Sequence, residues 1–286
     1  MEKVYLTQQQ MNFMDTFGYL VFPGLLKDRI DDIIKAFHAI WEERGGGMDG
    51  VAHKGDRRSV IVPFIDQSEY LCSLLDDPRI NGIFSSLLGD DFNYVGSDGN
   101  FYVGDTRWHS DLDWEGGSIG TPAIKYFKMA FYLDPLTRDT GALRVIPGSH
   151  KFGDVYAEDL QKKVRNPEDA WGISGSQVPA IAIETQPGDI AVFNFATKHS
   201  AWGGGQWRRM FTINCTQHYQ PDQIVYLRNL IAGGARFWID EVYSEKMLRT
   251  ASPERMIHLK QSLENQDHLA EETRKAKLTM TEPARG

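Results

Sequence analysis

From Gly89 to Pro221 the chain is a succession of short apolar runs separated by turn residues, and this pattern constrains the fold more than any other feature. The runs are Asn93-Tyr94-Val95, Phe101-Tyr102-Val103, Tyr126 to Leu133, Leu143 to Ile146, Ala180 to Glu184, Ile190 to Phe195 and Arg209 to Tyr219. Runs of this size bounded by Gly, Pro, Asn and Asp suit strands, so the segment predicts a β-rich core. Pro187-Gly188-Asp189 reads as a tight turn joining two of them. The polar stretch from Lys151 to Pro179 interrupts the series, and an insertion of that length in a sheet reads as a lid or binding loop.

Both flanks read as helical. Thr7 and Gln10 form a capping-box pattern, and Gly18 should end the helix that follows at Phe17. Tyr19-Leu20-Val21-Phe22 is a compact strand candidate closed by Pro23-Gly24. Ile30, Ile33, Ile34, Phe37, Ile40 and Trp41 recur at helical spacing until Gly45-Gly46-Gly47 stops them. A further helix is expected over Pro78 to Leu88, while residues 48–67 read as a loop, either solvated on the surface or edging a pocket. Beyond Pro221, Glu241 to Leu248 and Pro253 to Leu269 carry helical patterns of mixed charge, and the last dozen residues look frayed. His258 and His268, in that charged region, are expected to be exposed. The expectation is one domain over residues 1–286: a helical part to about 90, a β core over about 91–221 and a helical extension over about 222–286. The extension would close the pocket or form a homodimer contact.

Charge and composition exclude some functions. The net charge is −8 with no long Lys/Arg run, which argues against a nucleic-acid surface. No apolar run reaches the roughly 20 residues of a membrane span, and the start Met1-Glu2-Lys3-Val4-Tyr5 lacks a signal-peptide apolar region. Cys72 and Cys215 are far apart and fit no CxxC pattern, so they read as reduced core thiols, which fits a cytoplasmic enzyme.

The chemistry is concentrated at Arg107-Trp108-His109-Ser110-Asp111. If a strand at Tyr102-Val103-Gly104 continues, His109 and Asp111 point to one side, because side chains alternate along a strand. One imidazole and one carboxylate are two parts of a 2-His-1-carboxylate facial triad, the arrangement that holds non-haem Fe(II) with positions open. Such a tripeptide is often just a solvated pair, so a third ligand is needed. Of the eight histidines, His199 stands out, because it follows the strand Ile190 to Phe195 at a small-residue turn. His38 reads as structural or solvated, and His218 as a minor candidate. Arg208-Arg209 then opens another strand, and an arginine there offers a fork-to-fork contact for the carboxylate of an acidic cosubstrate.

With these pieces in place the chain resembles the phytanoyl-CoA dioxygenase-like branch of the Fe(II)/2-oxoglutarate-dependent oxygenases. The resemblance runs in order through Phe17-Gly18-Tyr19-Leu20-Val21-Phe22-Pro23-Gly24-Leu25-Leu26, Trp108 to Asp111, Asp139 to His150, Pro187 to Phe193 with His199, and Arg208-Arg209. It implies a double-stranded β-helix, or jelly-roll, core with helices outside. It also implies His109, Asp111 and His199 as iron ligands, and Arg208, at the first position of the family's Arg pair, as the anchor of 2-oxoglutarate. Thr140 stands where members often carry Asn and is a cosubstrate candidate, while Ser110 and Ser200 flank ligands and are candidates for orienting them. Trp114, Trp171 and Trp202 are candidate pocket walls, and Arg107, Arg144 and Lys125 candidate selectors of an anionic substrate.

The implied reaction consumes O2 and 2-oxoglutarate, releases succinate and CO2, and oxidises an unactivated C–H bond. An intact Asp111 favours hydroxylation over halogenation, with desaturation and ring formation as variants. A catalytically silent jelly-roll binding protein and a cupin with another metal are the competing readings.

Overall fold

The computed structural model describes residues 3–112, 124–151 and 153–285. Thirteen strands are present among them: β1 (Tyr19–Phe22), β2 (Gly47–Met48), β3 (Val51–Ala52), β4 (Ser59–Ile61), β5 (Asn93–Gly96), β6 (Gly99–Tyr102), β7 (Thr106–His109), β8 (Tyr126–Tyr132), β9 (Leu143–Val145), β10 (Ile181–Ile183), β11 (Ile190–Asn194), β12 (His199–Ala201) and β13 (Arg208–Thr216). A large sheet runs β1-β11-β8-β13-β6-β4, with β5 also on β13, and a smaller one runs β10-β9-β12-β7. All their pairings are antiparallel. With helices packed outside, this is the jelly-roll arrangement.

Two strands explain why the large sheet has one wholly apolar face and one that mixes polar and apolar side chains. In β8 and β13, Phe127, Met129, Phe131, Phe211, Ile213 and Cys215 point outward into the main core. They meet Phe37 and Trp41 of the helix Ile30–Glu43, and Phe84 of the helix Pro78–Leu88. The alternate set, Lys128, Ala130, Tyr132, Arg208, Met210, Thr212 and Asn214, faces the space between the sheets. Lys128, Arg208, Thr212 and Asn214 are thus turned inward beside an apolar cluster that includes Ala130, Tyr132 and Met210.

Local signals account for most element ends. Thr7 caps the helix Gln8–Phe17 in a reciprocal pair with Gln10, and Gly18 ends it at φ 83°, a conformation costly for other residues. Asp77 caps the helix Pro78–Leu88 through Arg79 N–H.

Four expectations are corrected. The strand leading to the site is β7, not Tyr102-Val103-Gly104, and it ends at His109. The stretch 151–179 contains helices at Val155–Val164 and Pro167–Trp171, whose amphipathic character was masked by their polar majority. His258 is fully buried, stacked 3.7 Å from the Phe92 ring, with Nδ1 donating to Phe92 O and Nε2 accepting from Asn81 Nδ2. The C-terminal tail does not fray: Ala284 N–H donates to Arg236 O and Arg285 Nη1 to Arg58 O. No helix among the described residues is long and apolar enough to cross a membrane.

Candidate metal centre and its cavity

Strands β7 and β12 are neighbours in the small sheet, and their register sets His109 directly opposite His199. Cross-strand partners lie close enough for their side chains to touch, and here the imidazole centroids are 4.2 Å apart. Asp111 follows two residues after β7, in a turn held by its own N–H donating to Phe195 O at 3.0 Å. The turn, rather than strand alternation, returns the carboxylate to the imidazoles. Oδ1 lies 3.8 Å from His109 Nε2, and Oδ2 3.8 Å from His199 Nε2.

The backbone selects the tautomers. His109 Nδ1 donates to Arg107 O at 2.8 Å and His199 Nδ1 to Thr197 O at 2.9 Å. A carbonyl can only accept, so in each neutral ring the Nε2 lone pair is the one facing Asp111. Burial, with His109 beside it, pushes the His199 imidazole down to about 3, leaving it neutral and able to ligate at physiological pH. One ligand atom from each of the three residues lies within 4.8 Å of the others. Two imidazole nitrogens and a carboxylate fit a non-haem iron.

Lys128, which sequence reasoning passed over, completes the electrostatics. Its Nζ lies 2.8 Å from Asp111 Oδ2 and 4.9 Å from the Phe195 ring centroid. Burial alone would raise the Asp111 pKa, but Lys128 and the two imidazoles outweigh it and hold the carboxyl well below the usual range. The signal was there: a lone lysine within the aromatic run Tyr126–Tyr132.

Alternation at the start of β13 separates the two arginines. Arg208 faces the cavity, donates from Nη1 to Gly141 O at 2.9 Å, and makes no ion pair among the described residues. Arg209 faces the other way, with Nε and Nη2 on Asp134 Oδ1 at 3.0 and 2.6 Å, and Nη1 donating to His38 Nε2. A Cβ at Gly141 or Gly204 would collide with the Arg208 guanidinium, so these glycines make its room. Gly141 also sits at φ 95°.

The cavity between the sheets has a volume of about 540 Å³ and opens onto the triad and Arg208 together. Ser110 and Ser200 are buried on its wall, and the Ser200 hydroxyl accepts from Trp202 Nε1 at 2.9 Å. Thr140 does not join them: it is exposed, its hydroxyl accepting from Thr137 N–H inside its own turn. Arg107 lines the cavity, whereas Lys125 is exposed and Arg144 is buried elsewhere, donating to Ser176 O and Arg138 O. Trp171 and Trp202 are not on the wall, and Trp114 lies outside the described residues. His218 bonds to Gln261, away from the triad. The segment 48–67 supplies Arg58, Val60, Val62 and Pro63 to the wall, and the C-terminal region supplies Leu230 to Tyr243; the described part of 151–179 supplies none.

Residues 14–210 match the phytanoyl-CoA dioxygenase (PhyH) family. The chain belongs to this family, and is thereby an iron- and 2-oxoglutarate-dependent oxygenase. The ectoine dioxygenase of Streptomyces avermitilis is 25% identical over 248 residues, covering 77% of this chain and 74% of that protein. Among solved structures, HygX from Streptomyces hygroscopicus, with nickel and 2-oxoglutarate bound, superposes with a TM-score of 0.58 at 17% identity, covering 76% of this chain and 89% of HygX. SnoK, a non-heme alpha-ketoglutarate-dependent carbocyclase from nogalamycin biosynthesis, gives 0.56 at 20% identity, covering 74% and 84%.

Proposed function

We propose that the protein oxidises an unactivated C–H bond of a small molecule, with hydroxylation as the default outcome. His109 Nε2, Asp111 and His199 Nε2 hold the iron, and Arg208 pairs with the distal carboxylate of 2-oxoglutarate. One observation carries this reading: the triad and a buried guanidinium with no acidic partner among the described residues open into the same cavity. Its volume, about 540 Å³, lies within the usual range for small-molecule sites.

Iron, 2-oxoglutarate and O2 together supply the oxidising power, with succinate and CO2 as coproducts. The chain's own residues do the rest. Arg107 O and Thr197 O fix the two imidazoles, and Lys128 holds one side of Asp111. Gly141 and Gly204 leave the space in which Arg208 can receive an acid. Ser110 and Ser200, buried on the cavity wall, would orient the cosubstrate or the ligands. Asp111 would supply a carboxylate to the iron where a halogenase leaves room for halide, which favours hydroxylation. Desaturation and ring formation use the same residues and are the second reading. The region 222–286 belongs to the same catalytic unit, because Leu230 to Tyr243 wall the cavity. The buried free thiols Cys72 and Cys215 fit action in the cytoplasm.

The test is aerobic consumption of 2-oxoglutarate with stoichiometric succinate, in protein supplied with Fe(II). The wild type should turn over slowly alone and faster with a substrate, while His199→Ala and Asp111→Ala lose both rates. Equal turnover in wild type and His199→Ala would sink the reading.

A further inference from the structure

Part of the cavity wall comes from a piece of the chain with a small core of its own. Leu230, Ile231, Phe237 and Ile239, in the helix Ile224–Ala232 and the residues just after it, line the cavity. This piece does not pack into the main core behind the large sheet. Leu227, Ile231, Ala235 and Leu269 form a separate buried cluster, seated on Ile124 and Tyr219. Leu269 opens the helix Leu269–Thr279. Polar contacts bind the piece from within. His268 Nε2 donates to Arg228 O at 2.9 Å, Thr273 Oγ1 donates to Ile239 O, and Ala284 N–H donates to Arg236 O at 2.8 Å. Residues 224–239 and 268–285 thus make a cap whose parts hold one another.

The tail of this cap reaches a different part of the wall. The segment 58–63 lines the cavity through Arg58, Val60, Val62 and Pro63. At its start, Arg285 Nη1 donates to Arg58 O at 2.7 Å and Arg57 Nη1 donates to Glu282 Oε1 at 2.8 Å. Arg285 Nη2 donates to Glu282 Oε2 at 2.9 Å, so Glu282 lies between two guanidinium groups. The Arg57 and Glu282 side chains are 57% and 43% exposed. Ion pairs that open to solvent are weak and screened by salt. This bridge can therefore break while the main core and the cap's own cluster stay intact.

We propose that the cap is a lid on the cavity and that Glu282 and Arg285 are its latch. With the latch made, the tail holds the segment at Arg57–Arg58 to the turn at Arg236, and that side of the cavity is shut. With the latch broken, the cap tilts from its seat on Ile124 and Tyr219 and admits cosubstrate and substrate. Closure then keeps water from the oxidising centre. The inference rests on the oxygenase reading only in taking this cavity as the place of reaction.

Amide hydrogen exchange on the metal-free protein tests the lid, since local opening is read there segment by segment. In the wild type, residues 224–239 should exchange faster than β8 and β13. Arg285→Ala should speed exchange over 224–239 about tenfold, the worth of one charged hydrogen bond, and leave β8 and β13 unchanged. Glu282→Ala should act in the same direction and less strongly. An unchanged rate over 224–239 in Arg285→Ala, or an acceleration shared equally by β8 and β13, would overturn the proposal. Gating is read by anaerobic stopped-flow mixing of 2-oxoglutarate with Fe(II)-loaded protein. Arg285→Ala should raise the association and dissociation rates by the same factor, with affinity unchanged; an unchanged association rate would overturn the latch. Failure of the visible band to form in any sample would count against the oxygenase reading, whereas the exchange result stands without iron.

Discussion

At the scale of single residues, the site depends on contacts that fix direction as much as on the ligands themselves. Lys128 is the clearest case. Removing one partner of a buried ion pair leaves the other charge uncompensated, at a cost of about 3–5 kcal/mol. Lys128→Met should therefore destabilise the metal-free protein by about that amount, and saturating Zn(II), a cation placed against the same carboxylate, should recover much of it. Urea denaturation with and without Zn(II) measures both; an unchanged midpoint in the metal-free variant would remove Lys128 from the account. The two arginines of β13 make a second contrast. Arg208→Gln should weaken 2-oxoglutarate by about 10- to 100-fold, the worth of charged hydrogen bonds, whereas Arg209→Gln should leave its affinity alone and cost stability through Asp134 and His38. Calorimetric titration of 2-oxoglutarate into both variants distinguishes them, and a larger loss in Arg209→Gln would reverse the assignment.

At the scale of elements, what was legible in the sequence follows from what is local. The capping pair Thr7–Gln10, the apolar stripe of Ile33, Phe37 and Ile40, and the alternation in β13 are all encoded within a few neighbouring residues. His199 was found because it follows a strand. Its register opposite His109 was not legible, since pairing across strands 90 residues apart is set by the whole sheet. Lys128 escaped for the same reason: it is an ordinary charge until the fold turns it inward. His258 reversed expectation because Glu254 and Lys260 face outward, while the imidazole stacks on Phe92 from the buried face it shares with Arg255 and Leu259. Phe37, fully buried against Phe64 and Phe101, anchors the helix Ile30–Glu43 to the sheet. Phe37→Ala should cost about 3–5 kcal/mol, read as a lower urea midpoint; a loss under about 1 kcal/mol would place the core elsewhere.

At the scale of the whole molecule, residues far apart in sequence are joined through the interior. Asp66 binds the C-terminal region to the segment after β4: it accepts from Tyr94 Oη at 2.7 Å and from Ser244 N–H at 3.3 Å. Burial pushes its carboxyl up to about 6, against the bonds that favour the ion. A carboxyl raised in the folded state makes a contribution that is intact below its unfolded pKa of about 4, and is lost as pH rises through about 6. The loss is about 3 kcal/mol, at 1.36 kcal/mol per pKa unit. Stability of the wild type should thus fall across that window more steeply than that of Asp66→Asn, as urea midpoints at pH 4 and pH 7.5 would show; parallel profiles would contradict it.

The same long-range assembly brings His109, Asp111, His199 and Arg208 to one cavity. Anaerobic titration of 2-oxoglutarate into the Fe(II)-loaded protein, followed in the visible, tests that convergence most directly. The account predicts a saturable charge-transfer band in the wild type, absent in His109→Ala and His199→Ala, and displaced to much higher 2-oxoglutarate concentration in Arg208→Gln. No band in the wild type, or an undiminished one in His199→Ala, would contradict it.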